Sequence, residues 1–416
     1  MVGIAVIDPT RFPRWLRGLL VLGLVVCALS VYLPGDWRSG DVTLYHIYAQ
    51  GFWSGLPHPI LPAEYPPLSV LPFGITLLGP AELAPDIFAV AMALVFVAGF
   101  FAFRRWASRR AAWTYVIYVL AAGPATVVFR YDLLAALMVV AGIWLLERRR
   151  FNAAYAVLAA GTLLKLFPLV FVPIVAIAEW RTGSSRHERV GRTIAAHLAA
   201  TLGIVAAGFL AAYLADPSHG LGALTYNFRR PVEVESVPAT LMWLGSLVGY
   251  PVQAVASYGS FNLTGPGATV ATIVGDVGLF GGLLWVYVRQ LQGRLSSTRA
   301  IPTALVVLLC TSKVLSAQYL VWVAVALAAT FPFRMRWLAV FLLTALVFPT
   351  LMQLGVHSQG RSVGYDQLLL GGVAARNACL VICTMLLVRG VTGRASEGRT
   401  RATVPTTTAM LSGQPL

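Results

Sequence analysis

The sequence predicts an all-α polytopic membrane protein, a bundle of about 10–13 transmembrane helices with a polar first loop and a re-entrant segment on one face. Three observations carry this. The 416 residues are 58% hydrophobic and 11% charged, with a mean hydropathy of +0.76, which no soluble domain of this size matches. The apolar residues fall in long runs. The basic residues fall in short clusters between those runs, as they do in cytoplasmic loops. The net charge of +15 and pI near 10.1 are therefore topological information, and no nucleic-acid partner is expected.

Apolar runs occur at 15–33, 84–103, 111–128, 132–146, 152–164, 166–179, 193–214, 268–288, 300–312, 314–331, 336–352 and 368–388. The first is too long for a signal peptide and reads as a retained anchor. With the N-terminus in the cytoplasm, Arg104 to Arg110, Arg148 to Arg150, Arg181 to Arg192, Arg289 to Arg299 and Arg334 with Arg336 all fall inside. Residues 67–79 are apolar but short of the roughly 20 needed to cross, so they read as re-entrant or interfacial. Residues 152–179 read as a hairpin of two short helices broken at Pro168, with Lys165 at the outer tip.

Residues 216–266 form an outer loop, within which 239–250 suits an interfacial amphipathic helix. The last outer loop, 353–367, carries His357 and Arg361. Residues 1–394 form one domain, and 395–416 form a Thr-rich disordered tail. Cys27, Cys310, Cys379 and Cys383 lie in apolar runs without metal-ligand spacing, so neither a metal site nor a disulfide framework is expected. Asp276 and Arg376 lie within spans and read as a buried structural pair or snorkelling groups.

The first outer loop, 34–67, is the most informative stretch. Ser39 is a suitable N-cap and Gly55 with Pro57 a suitable stop. A helix over 41–53 would put Asp41, Tyr45, Tyr48 and Phe52 on one face. An acid beside aromatics suits a sugar: the C–H face of the ring packs on the aromatics while a hydroxyl yields its proton to the carboxylate. A plain helix-start acid would equally explain Asp41 alone, but Glu64-Tyr65-Pro66-Pro67 follows it on the same side.

Arg130 and Asp132 sit in a tight turn on that side. Lys165 and Lys313, the two lysines among 31 basic residues, lie at outer hairpin tips, where an ammonium can bind phosphate. Arg229, Arg230 and Glu235 in YNFRRPVEVES, and Gln318 and Tyr319 in KVLSAQYLVW, are further candidates. The chain has no P-loop, no GxGxxG after a strand and no long cytoplasmic loop. An activated substrate would therefore arrive through the membrane, as a polyprenyl phosphate sugar can.

The segments GDVTLYHIYAQGFWSGLP…EYPPL, LLKLFPLVFVP, RRPVEVES and SKVLSAQYLVW, in this order between about residues 15 and 390, resemble glycosyltransferase family 87. Ala317 departs from the proline expected before Gln318. The resemblance implies a GT-C fold, and a mannosyltransferase of the kind common in actinobacteria, using polyprenyl-phosphate mannose. It implies a glycolipid or lipoglycan acceptor and no cofactor, with the active site outside the plasma membrane. By position Asp41 becomes the general base of a single-displacement inversion. Lys165, Lys313 and Arg130 become the donor-phosphate ligands. The remaining candidates, among them Tyr45, Tyr48, Glu64 and Tyr65, become substrate-binding. The rival reading is a transporter or a flippase of lipid-linked glycans; its expected midplane site and related halves are not visible.

Overall fold

The computed structural model describes residues 40–55, 59–183, 187–352 and 367–401. The predicted anchor 15–33, Ser39, Pro57, Cys27, His357, Arg361 and the end of the tail lie outside the described residues.

The chain is a helical polytopic membrane protein. Among the described residues, the segments Ala81–Trp106, Glu188–Ala215, Ala268–Leu291 and Gln367–Gly390 are long and apolar enough to cross a bilayer. They belong to helices α2 (Ala84–Trp106), α7 (His187–Ala215), α10 (Ala268–Leu291) and α14 (Gln367–Arg401), the last running past the predicted boundary at 394. Before them stands α1 (Gly40–Trp53), and between them run α3 (Arg109–Ala121), α4 (Asp132–Glu147), α5 (Phe151–Leu164) and α6 (Val172–Thr182). The second half adds α8 (Gly222–Arg229), α9 (Val237–Ser246), α11 (Ser297–Thr311), α12 (Tyr319–Thr330) and α13 (Met335–Ala345).

Helix α12 is apolar on every side, and every residue from Leu320 to Ala328 is buried, as expected for a helix without a polar face. It packs against α3, α4 and α11 and forms the centre of the main hydrophobic cluster. The long helices differ: α2 leaves Val90, Leu94 and Val97 exposed, and α10 leaves Val270, Val274, Val277 and Phe280 exposed. Apolar faces of that length suit lipid contact.

The predicted hairpin is present. Helix α5 ends at Lys165, whose backbone is extended, and Pro168 folds back so that its Cγ lies 3.3 Å from where a Gly161 Cβ would sit. Tyr155 near the start of α5 donates to Glu179 near the end of α6 at 3.2 Å, so the two helices run antiparallel. The short segment 67–77 forms a 3-10 turn, one helical turn at Val70–Gly74 and a second 3-10 turn. It is a broken, partly buried helix, as a re-entrant reading requires.

Residues 216–266 add a small sheet to the helical fold. They contain a three-stranded antiparallel sheet, β1 (Val232–Glu233), β2 (Gln253–Ser257) and β3 (Ser260–Thr264), in the order β1-β3-β2. Strands β2 and β3 pair from Gln253↔Thr264 to Ser257↔Ser260. Between them Tyr258 (φ 53°) and Gly259 (φ 62°) both take the left-handed conformation of a two-residue type I′ hairpin turn. The amphipathic helix expected over 239–250 is α9, started by Ser236, whose Oγ accepts from the Ala239 N–H at 3.1 Å, a regular N-cap.

Two contacts tie the first loop to this region. The Leu61 N–H donates to Asp216 Oδ2 at 3.0 Å, and Gly222 lies so close to Ala63 that a Cβ there would sit 2.6 Å from the Ala63 oxygen. Burial raises the Asp216 carboxyl, but the Leu61 N–H and His219 outweigh it and hold it below its usual range. For such a lowered group the stabilisation is present above the unfolded-state pKa and is lost as pH falls through the folded value. Asp216→Asn should therefore speed amide exchange at Leu61 at neutral pH and flatten its acid dependence. Unchanged protection at Leu61 would show that Asp216 does not hold the loop.

Candidate functional site

Four chain segments converge at the N-terminal end of α4. Helix α1 carries Asp41 in its first turn. The turn before α4 carries Arg130 and Tyr131, and Asp132 is the first residue of α4. A carboxylate there complements the helix dipole. The extended break after α5 carries Lys165, and the start of α12 carries Gln318 and Tyr319.

Arg130 Nε lies 2.6 Å from Asp41 Oδ2 and 3.2 Å from Gln318 Oε1. The Asp41 side chain keeps 32% of its surface while Arg130 keeps 11%. The carboxylate thus has one oxygen fixed by a buried guanidinium and a face open to solvent. Burial alone would lower the Arg130 pKa, but Asp41 and the neighbouring tyrosines outweigh it and raise it.

A second pair stands beside the first. Lys165 Nζ lies 2.6 Å from Asp132 Oδ1, at exposures of 12% and 1%. Trp322 Nε1 donates to the same oxygen at 2.8 Å, while Asp132 Oδ2 has no partner among the described residues. The Lys165 ammonium lies 4.7 Å from the Tyr131 ring centroid, 5.5 Å from Trp322 and 5.8 Å from Tyr319, an aromatic surround that favours a cation. Burial draws its pKa down and Asp132 draws it partly back. Arg130 and Asp41 lie within electrostatic reach of Lys165, so the two pairs form one cluster.

Aromatics floor the cluster. Tyr45 stacks on Phe73 at 4.2 Å and meets Tyr65 and Tyr131 edge-on at 5.7 and 5.8 Å. Burial holds the Tyr45, Tyr65 and Tyr131 phenols well above their ordinary pKa, so they remain neutral hydrogen-bonding groups. Tyr45 is itself buried; it supports the floor, where the sequence placed it against substrate. Tyr48 donates to Glu64 Oε2, which couples α1 to the segment before Pro66.

Several predicted site residues stand elsewhere. Lys313 donates to the Phe228 carbonyl at 2.9 Å and is not brought to Asp41. Arg229 is exposed on the last turn of α8. Glu235 is buried and bound by Arg376 Nη1 at 2.9 Å. That confirms Arg376 as half of a buried pair with Glu235 as its partner. Burial pushes the Glu235 carboxyl up to about 7 even against this guanidinium. Asp276 is exposed on α10.

Arg230 does reach the cluster's edge. It pairs with Glu233 at 3.0 Å, within electrostatic reach of Tyr319, Tyr226 and Tyr65. Sequence reasoning placed Asp132 beside Arg130 without giving it a role, and it did not single out Tyr131, Trp322 or Glu233. Asp132 opens an apolar run two residues after Arg130, and Trp322 lies one helical turn from Gln318; those spacings were the available signals.

Among the described residues, no group of three or more His, Cys, Asp or Glu could hold a metal ion. A cavity of about 340 Å³ lies at the other end of α4, between Arg149, Arg181 and Ser296–Thr298, away from both ion pairs. No family model matches the chain, and no curated protein does. Among solved structures, the chain is similar to ArnT from Cupriavidus metallidurans bound to undecaprenyl phosphate, at 16% identity over 93% of this chain and 78% of that one, with a TM-score of 0.41.

Proposed function

We propose that this chain is a GT-C-type membrane glycosyltransferase that moves mannose from polyprenyl-phosphate mannose to a glycolipid or lipoglycan acceptor at the outer face of the plasma membrane. The observation that carries the reading is the half-open Asp41 carboxylate, fixed by Arg130 at 2.6 Å beside the Lys165–Asp132 pair and floored by tyrosines. The resemblance of the segments around Asp41, Lys165 and Gln318 to glycosyltransferase family 87 points the same way.

The chemistry balances without a further reactant. Asp41 takes the proton of the acceptor hydroxyl. The acceptor oxygen bonds to the sugar C1 as the bond from C1 to the phosphate oxygen breaks, and that electron pair leaves on polyprenyl phosphate. The displacement inverts C1. Lys165 and Arg130 face the negative charge that grows on the leaving phosphate, where fixed charges act best. Tyr65 lines the oxocarbenium-like sugar, with the buried Tyr45 and Tyr131 packed beneath it. Arg130 acts twice: it orients Asp41 through one carboxylate oxygen, and it leaves the second for the acceptor.

The direct test uses the full chain in phospholipid nanodiscs with radiolabelled polyprenyl-phosphate mannose and an envelope lipid extract. Label should pass to a new lipid-soluble product. Absence of transfer from this donor, or reporter fusions that place residues 40–66 in the cytosol, would sink the reading.

A further inference from the structure

We propose that Arg230, clamped by Glu233, forms a hydroxyl-reading subsite for the acceptor carbohydrate, separate from the place where the donor phosphate sits. The proposal rests on the glycosyltransferase reading and adds the location and chemistry of acceptor recognition.

The subsite is built by the outer-loop sheet. Arg230 Nη2 donates to Glu233 Oε1 at 3.0 Å and to Ser260 Oγ at 2.8 Å. Ser316, just before α12, donates to the same Glu233 oxygen at 2.9 Å. The Glu233 N–H is tied to the Lys313 carbonyl at 2.9 Å. The pair is thus held from three directions, by β1, by β3 and by the segment leading into α12.

Both side chains are nine-tenths or more buried, 10% exposed for Arg230 and 4% for Glu233. Yet Arg230 Nε and Glu233 Oε2 have no hydrogen-bond partner among the described residues. A buried charged pair with unused donor and acceptor capacity is unfavourable in itself, and such a group calls for a functional role or for a partner that is not part of the protein.

Position and charge identify the ligand. Tyr65 and Tyr319 lie within electrostatic reach of Arg230, and Tyr65 lies within reach of Asp41 and Arg130. Ser316, bound to Glu233, lies two residues before Gln318, which accepts from Arg130 at 3.2 Å, so the subsite adjoins the proposed base. Tyr226 places its ring 5.7 Å from the Arg230 guanidinium and feels the Glu64 carboxylate. Glu233 cancels the charge of Arg230, and Glu64 adds a further negative charge, so this wall repels a phosphate. A guanidinium edge beside a carboxylate, flanked by phenol rings, instead alternates donors and acceptors against an apolar face. That pattern fits the vicinal hydroxyls and C–H face of a neutral sugar.

The test measures binding apart from turnover. The full chain in phospholipid nanodiscs, free of sugar detergents, is titrated with octyl α-mannopyranoside and with octyl phosphate, for wild type, Glu233→Gln and Ser316→Ala. Wild type should bind the mannoside. Glu233→Gln should weaken it by roughly tenfold to a hundredfold, the loss typical of a hydrogen bond to a charged group, and Ser316→Ala by less, with octyl phosphate failing to compete.

In turnover assays Glu233→Gln should raise the acceptor KM while the donor KM stays unchanged. Octyl phosphate displacing the mannoside, equal mannoside affinity in Glu233→Gln, or a donor KM that rises instead would overturn the proposal. Ser316→Ala, which removes a clamp without a charge, reports on the subsite if Glu233→Gln does not fold. Failure of the glycosyltransferase reading would show differently, as mannoside binding without sugar transfer.

Discussion

Asp41→Asn is expected to lower sugar transfer by about 10²–10⁴, the usual contribution of a positioned general base, with expression and melting close to wild type. The separation of the two effects follows from the geometry. The side chain is 32% exposed, and the amide keeps its shape, so its oxygen can still accept from Arg130 Nε. What disappears is the charge that draws a proton from the acceptor. Asp41→Glu tests position: it keeps the charge but moves it by one methylene, and a displacement of about 1 Å can cost on the order of 10². Transfer assays at saturating donor, with thermal melting in parallel, decide both. Near wild-type turnover in Asp41→Asn would remove this residue from the chemistry and leave it as a helix-start acid.

How much of this was visible in the chain follows from the range of each interaction. Local periodicity placed α1, the hairpin break at Lys165 and the start of α9, because caps, prolines and helical spacing are encoded within a few residues. The predicted face of Asp41, Tyr45 and Tyr48 was correct as helical spacing. It could not tell which member turns to the core, and Phe73 decided that by stacking on Tyr45. The pairing of Asp41 with Arg130 joins residues far apart in sequence, and no local pattern specifies it. The same holds for Glu235 with Arg376, which moved a predicted substrate ligand into a structural pair. Both glutamates of VEVES are buried, and only the partner on each, Arg376 or Arg230, tells them apart. The sheet escaped notice because β2 and β3 are short and lie in a polar loop, where the YG turn was their one strong mark.

Lys165→Met should be the most destabilising change at the site, by about 3–5 kcal/mol, because it strands the Asp132 charge at 1% exposure without its paired cation. Asp132→Asn should destabilise less, since Lys165 keeps its aromatic surround. The double variant should recover much of the loss, a coupling that a double-mutant cycle in chemical denaturation measures directly. Activity separates the two roles of the lysine. If Lys165 serves only to neutralise Asp132, the double variant regains transfer along with stability. If it also meets the donor phosphate, the double variant melts near wild type yet stays roughly 10²–10³ slower, the scale of one lost charge-stabilising group, with a raised donor KM. The second outcome is expected, for a reason of valence. An ammonium has three N–H donors, Asp132 Oδ1 takes one at 2.6 Å, and no other described residue accepts from Nζ. The lysine can therefore hold its structural partner and still offer hydrogen bonds to a phosphate entering past Tyr131 and Tyr319, without breaking the pair that keeps it in place.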